Sequence, residues 1–214
     1  MRIGALKESY AADQALFDTS TQRLWLGIGA LALIAFPFAA SDYWLYMACL
    51  VSIHIISTTG LNILTGYTGL VSLGQAAFMG VGAYTAGYLQ LRVGSPFLVN
   101  LLAAGLVTAF VGIIFGLPSL RVKGLYLAIA TIAASVILHF VFQHWTRVTG
   151  GNTGLSITPA SFFGLELARP AELYWVIIPL SCVMVLAAAN LFRTRVGRAF
   201  IAIRDKDISA EVLG

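Results

Sequence analysis

The sequence predicts an all-α fold, a polytopic transmembrane helical bundle with one interrupted helix near residues 65–72. Three observations predict it. Hydrophobic residues make up 59% of the 214 residues and charged residues only 10%, outside the usual balance of a water-soluble domain. No Asp or Glu occurs between Tyr43 and Leu165, which points to lipid as the solvent of that stretch. Several apolar runs also reach the roughly 17 to 25 residues needed to cross a bilayer core about 30 Å thick.

Six such runs follow one another: 24–40, 43–64, 69–91, 96–117, 124–143 and 173–192, none containing Asp, Glu, Lys or Arg. They must be helices, because lipid offers no partner to a backbone N–H or C=O and the runs are too long for barrel strands. The first run ends Phe38-Ala39-Ala40-Ser41, small residues of the kind found at a signal-peptide cleavage site. The acidic leader with Glu8, Asp13 and Asp18 assigns it instead to a permanent span. The second run and the third are joined by Asn62 to Ser72, a stretch with Gly66 and Gly69 that does not suit a continuous helix. The third is the Gly-rich run and the weakest candidate for a full crossing. Between His144 and Glu172 lies one long connection containing Gly150, Gly151, Gly154, Pro159 and Pro170, read as a turn-rich loop with room for a short helix.

Basic residues orient the bundle. With the N-terminus inside, one set of connections holds Arg2, Lys7, Arg23, Arg121, Lys123, Arg193, Arg195, Arg198, Arg204 and Lys206, and the other only Arg92, Arg147 and Arg169. Cytoplasmic connections carry the excess of Lys and Arg, so both ends of this chain are expected on the cytoplasmic side of the membrane. The chain divides into a cytoplasmic segment 1–23, a transmembrane domain 24–192 of about six spans, and a cytoplasmic segment 193–214. The net charge of +4 is placed by topology and does not imply nucleic-acid binding. Cys49 and Cys182 sit inside apolar runs as small packing residues, and no disulfide, metal site or cofactor is expected.

Polar residues within the spans are the functional candidates. His54, Thr58, Asn62 and Thr65 fall on one helical face, and Thr131, Ser135, His139 and Gln143 on another. Such stripes belong inside a bundle or beside a water-filled cavity, although Ser and Thr can also satisfy themselves on the preceding turn. Interrupted helices near membrane depth line transport paths, which assigns Asn62, Thr65, Gly66, Ser72, Gln75 and His54 to a substrate path. Small residues at Gly69, Ser72, Ala76, Gly80, Ala83 and Gly87 recur at steps of three or four, and a stripe of this kind lets helix backbones approach closely; Gly69, Ala76, Gly80, Ala83 and Gly87 are assigned to packing. The sequence contains no HExxH, no GxSxG and no P-loop Lys-Ser/Thr, so an enzyme of those classes is excluded. The spans hold no carboxylate of the kind proton-driven transporters use, so energy is expected from a partner.

Residues 61–84, Leu-Asn-Ile-Leu-Thr-Gly-Tyr-Thr-Gly-Leu-Val-Ser-Leu-Gly-Gln-Ala-Ala-Phe-Met-Gly-Val-Gly-Ala-Tyr, resemble the signature of branched-chain amino-acid ABC permeases of the LivM type. Residues 120–128, 149–155, and Gly197-Arg198-Ala199-Phe200 through Glu211-Val212-Leu213-Gly214 agree with it. The resemblance implies a permease that hydrolyses nothing itself, working with a second permease subunit, two cytoplasmic ATPase subunits that use the ATP, and a periplasmic binding protein delivering leucine, isoleucine or valine. Related permeases move urea or short amides; a self-sufficient secondary transporter or channel and a non-transporting scaffold are the other classes considered. The last segment is similar to the coupling motif of ABC importers, which implies ATPase contact through Arg195, Gly197, Arg198, Arg204, Glu211 and Gly214. Many relatives have Leu-Gly-His where this chain has Leu-Gly-Gln at Gln75. The family continues through further spans beyond this point, so the chain is expected to be the N-terminal portion of a longer permease.

Overall fold

The structure is a computed structural model, and it describes residues 20–119, 125–159, 161–162 and 165–205. The N-terminal segment 1–19 and the connection 120–124 lie outside the described residues. Helix α1 spans Ser20–Ala39 and α2 Asp42–Asn62, continued by a π-helical turn, Ile63–Tyr67. Then come α3, Gln75–Val93; α4, Phe97–Ser119; α5, Leu125–His144; and the short α6, Thr146–Thr149. A two-residue antiparallel ladder pairs Ser161–Phe162 with Leu165–Glu166, and α7, Pro170–Leu191, and α8, Arg195–Asp205, complete the order. The all-α, multi-pass bundle is what the composition demanded.

Among the described residues, five helical stretches are long and apolar enough to cross a membrane: Thr21–Ala39, Asp42–Tyr67, Phe97–Pro118, Tyr126–His144 and Pro170–Leu191. The sixth expected run differs. Residues 68–74 are not helical, so α3 starts at Gln75 rather than 69 and ends with Arg92 in its last turn. Hydropathy alone does not separate an apolar extended stretch such as Leu70-Val71 from the first turns of a helix.

Local sequence sets the helix ends. Gly94 closes α3 in the left-handed conformation at φ +64°, donating its N–H to the Leu89 carbonyl at 3.1 Å, the geometry glycine adopts without strain. Pro170 opens α7, where a missing N–H costs nothing, and the Glu172 carboxylate accepts the N–H groups of Ala168 and Arg169 at 2.9 and 3.1 Å.

The helices pack as two groups. In the first, α2 lies along α7, with Leu45, Cys49 and Ser52 meeting a seam of Tyr174, Ser181 and Ala188 spaced every seven residues. Tyr174 is 1% exposed, and its hydroxyl donates to the Leu33 carbonyl of α1 at 2.8 Å, so the ring fills the gap while its polar tip is satisfied. In the second group, α3 lies along α4 and α5. Gly80 abuts the Phe142 ring, where an added Cβ would stand 2.8 Å from a ring carbon, and Gly82 faces Thr108. Asn100 is 4% exposed and donates to Gln90 and to the Ser95 carbonyl at 2.8 and 3.0 Å, so the turn joining α3 to α4 is knotted by hydrogen bonds. The loop after α6 returns to α3, with Leu155 and Ile157 against Gly87. Large apolar side chains such as Leu31, Leu106 and Tyr126 point outward, where acyl chains rather than water receive them.

Candidate functional site

The two helix groups are bridged by the broken segment from Ile63 to Gly74, and its chemistry follows from where its backbone groups go. In the π turn the Thr68 N–H reaches back to the Ile63 carbonyl at 3.3 Å, and the Leu70 N–H to the Leu64 carbonyl at 3.1 Å. In a continuing α-helix Leu70 would instead serve Gly66, four residues before it. The Gly66 carbonyl accepts from the Arg204 guanidinium of α8 at 2.6 Å. A Cβ at Gly66 would collide with the Asn62 side-chain carbonyl, and Gly69 sits at φ +71° with an Arg204 methylene 3.0 Å from where its Cβ would be. Backbone sign favours glycine at Gly69, whereas a side chain at Gly66 would have to displace the Asn62 amide.

Further along, the Leu73 N–H donates to the Thr131 hydroxyl of α5 at 3.0 Å, and that hydroxyl donates to the Ala128 carbonyl at 2.9 Å. At Gly74 a Cβ would stand 3.0 Å from the Thr131 carbonyl, so the chain presses against α5 there. Gln75, the first residue of α3, donates its amide to the Ser57 carbonyl and hydroxyl of α2, both at 3.3 Å. The break is thus pinned to α2, α5 and α8 by polar contacts, each made with a group lipid cannot satisfy.

Two hollows border it. One, about 380 Å³, is lined by Leu70, Ser72 and Phe78 on the side of the break, and by Gly112, Gly116 and Thr131 of α4 and α5 among mainly apolar neighbours. That volume lies at the small-molecule end of binding cavities. Ser72 is 6% exposed. The other, about 310 Å³ and more open, is a polar groove formed by Thr58, Thr59, Leu61, Asn62 and Thr65.

The sequence-assigned path residues therefore separate. Asn62 and Thr65 line the polar groove, with Gly66 packed against Asn62, while Ser72 lines the apolar hollow. Gln75 anchors α3 to α2. His54 is exposed on α2, eight residues before Asn62 and so about 12 Å along the axis. In the small-residue stripe, Gly80 and Gly87 meet Phe142 and Ile157, Ala76 and Ala83 are exposed, and Gly69 leaves the stripe altogether because it precedes the helix. On the second polar stripe Thr131 alone reaches the break; Ser135 bonds its own helix and His139 contacts Gln143 at 3.1 Å.

Of the expected ATPase-contact residues, Gly197 lies in the tight α7–α8 corner, where a Cβ would stand 2.5 Å from the Leu191 carbonyl oxygen. The backbones of Arg195 and Arg198 open α8, whereas Glu211 and Gly214 lie outside the described residues. Arg204 points to the break. Sequence reasoning missed Ser57 as the partner of Gln75, and the stacking of Tyr67 on Phe192 at 3.4 Å between ring centroids, 12° from parallel. Neither has a local signal, since the partners are far apart in sequence.

The family model described as "Branched-chain amino acid transport system / permease component" matches residues 17–214. The chain belongs to that family. Among relatives, the high-affinity branched-chain amino acid transport system permease protein LivM of Escherichia coli is 33% identical over 221 residues, covering 92% of this chain and 52% of that one. LivM of Salmonella typhimurium matches with the same identity and coverage. A probable branched-chain amino acid transport permease protein LivM of Methanocaldococcus jannaschii is 24% identical over 195 residues, covering 76% of this chain and 56% of the relative. The chain of this permease family spans about half the length of the curated relatives it matches. No solved structure matches it.

Proposed function

We propose that the chain acts in a permease subunit of an ATP-driven importer that carries branched-chain amino acids across the bacterial inner membrane. The observation that carries the reading is the family match over residues 17–214, joined to relatives whose printed names specify branched-chain amino acid transport. The broken segment agrees with it physically. Helices interrupted at membrane depth give a passing solute backbone dipoles and hydroxyls in place of water, without the ion pair that would trap it.

In this reading the substrate passes beside Asn62, Thr65, Gly66 and Ser72. The aliphatic side chain meets Leu70 and Phe78, and the carboxylate is drawn toward the N-terminal end of α3, which carries the positive end of the helix dipole. Gln75 holds that helix end on α2, and selectivity rests mainly with an external binding protein. The partners are a second permease subunit, two cytoplasmic ATPase subunits and that binding protein. The ends of this chain face the cytoplasm, as the Lys and Arg asymmetry supports, and segment 193–214 is the docking element for the ATPases. The mix of exposed Val196 and Ile201 with arginines on α8 suits a short helix seated in a partner's groove.

Uptake of labelled leucine by cells carrying the intact gene, in competition with isoleucine, valine, urea and ribose, tests the reading. Isoleucine and valine are expected to compete and the other two not. Competition by urea alone would move the chain to the amide branch of the family.

A further inference from the structure

Three contacts join α8 and its corner to the broken segment. The Arg204 guanidinium donates to the Gly66 carbonyl at 2.6 Å, across 138 residues of sequence. Its methylene stem covers Gly69, with 3.0 Å between Arg204 Cγ and the position of an added Cβ. At the other end of the corner, Phe192 stacks on Tyr67 at 3.4 Å. The break is thus gripped on both sides of Gly66, at a point where its own backbone has used the Leu70 N–H elsewhere.

We infer that Arg204 is a positioning residue that carries the displacement of α8 to the broken segment, so that the segment moves with the helix rather than with α5. The inference rests on the reading of α8 as the docking element for the ATPases. A guanidinium suits the task. It stays charged, complements the negative end of the interrupted α2, and presents several donors, so the bond to Gly66 survives small rotations of the helix. The stem over Gly69 adds a steric stop in the second direction, and the Tyr67–Phe192 stack keeps the corner from sliding past the break. The segment's tie to α5, from Leu73 to Thr131, is a neutral hydrogen bond of 3.0 Å. Charge-assisted bonds are roughly twice as strong as neutral ones, so under load the contact to α8 outlasts the contact to α5.

The test uses the full-length permease assembled with its own partner subunits in proteoliposomes, reading three quantities: ATPase subunits retained, ATP hydrolysed, and leucine imported per ATP. Arg204→Met keeps the stem and removes the donors; Arg204→Lys keeps a charge and a donor. Arg204→Met is expected to retain the ATPases and their hydrolysis while import per ATP falls about tenfold or more, with Arg204→Lys recovering part of the loss. Unchanged import per ATP in Arg204→Met overturns the inference. So does loss of the ATPases from that variant, which would make Arg204 a contact of the motor itself. Ile201→Asp, on the exposed side of α8, probes the docking reading separately. If that variant keeps both ATPases and import, the docking reading falls and the inference with it; if it sheds the ATPases while Arg204→Met keeps them uncoupled, both stand.

Discussion

Replacing Thr131 by Val tests whether the break is held against α5 by the hydroxyl. Valine preserves the branched shape and removes the acceptor of the Leu73 N–H, a 3.0 Å bond. The Thr131 donation to Ala128 is lost too, but that carbonyl belongs to the same helix and keeps its helical partner. The Leu73 amide then loses its acceptor; because this bond is exposed, the loss is about 0.5–1.5 kcal/mol. Such a loss shifts the equilibrium between held and released segment by about 2- to 13-fold. Hydrogen exchange at the Leu73 amide reads that equilibrium directly when closing is fast, because the exchange rate scales with the open population. Measured on the intact protein in lipid, Thr131→Val should speed exchange across residues 68–74 by that factor, and Thr131→Ser should restore most of the protection. Equal exchange in the Val variant and the parent would refute the role of the hydroxyl. Faster exchange in Thr131→Ser alone would assign the effect to the methyl group.

Gly69→Ala should destabilise by about 1–2 kcal/mol through the left-handed backbone at φ +71°, and should lower uptake because the new Cβ presses on Arg204; Gly94→Ala, at φ +64° with open space around it, should show the thermal shift without the uptake defect. Gly80→Ala should cost about 1–3 kcal/mol by forcing Phe142 aside, and Phe142→Leu in the same chain should recover part of it in thermal unfolding. Tyr174→Phe should lose about 1 kcal/mol, the worth of its hydrogen bond to Leu33, with no change in transport. A Cys placed at Asn152 should react with a membrane-impermeant thiol reagent in intact cells and one at Arg204 should not; the reverse pattern would invert the orientation.

The spans were legible because lipid imposes a simple rule, about 20 apolar residues with charge confined to the ends, and the five such helices among the described residues follow the apolar runs within a few residues. The break was legible too, through Gly66 and Gly69, whose steric freedom leaves a mark in the sequence. Its exact extent was not. Leu70, Val71 and Leu73 are as apolar as the helix they precede, so α3 was placed six residues early. What escaped were the long-range polar pairs: Gln75 with Ser57, Leu73 with Thr131, Gly66 with Arg204. Periodicity identifies which face of a helix is polar, and it carries no information on which neighbour that face meets. The stripe of Thr131, Ser135, His139 and Gln143 illustrates this, since only its first member touches the break. Arg204 was read as one of the basic residues that orient the chain and as an ATPase contact, while its partner in the structure is a backbone carbonyl freed by the irregular turn.

The central claim is that branched-chain amino acids pass beside the broken segment. ATP-dependent uptake of labelled leucine by the intact transporter carrying Ser72→Leu tests it most directly. Ser72 is 6% exposed and faces a hollow of about 380 Å³, so a leucine side chain there occupies the space through which the substrate would move. The account predicts that the variant assembles with its partners, hydrolyses ATP and imports almost no leucine. Full assembly with uptake equal to the parent would contradict it and take the broken segment out of the path.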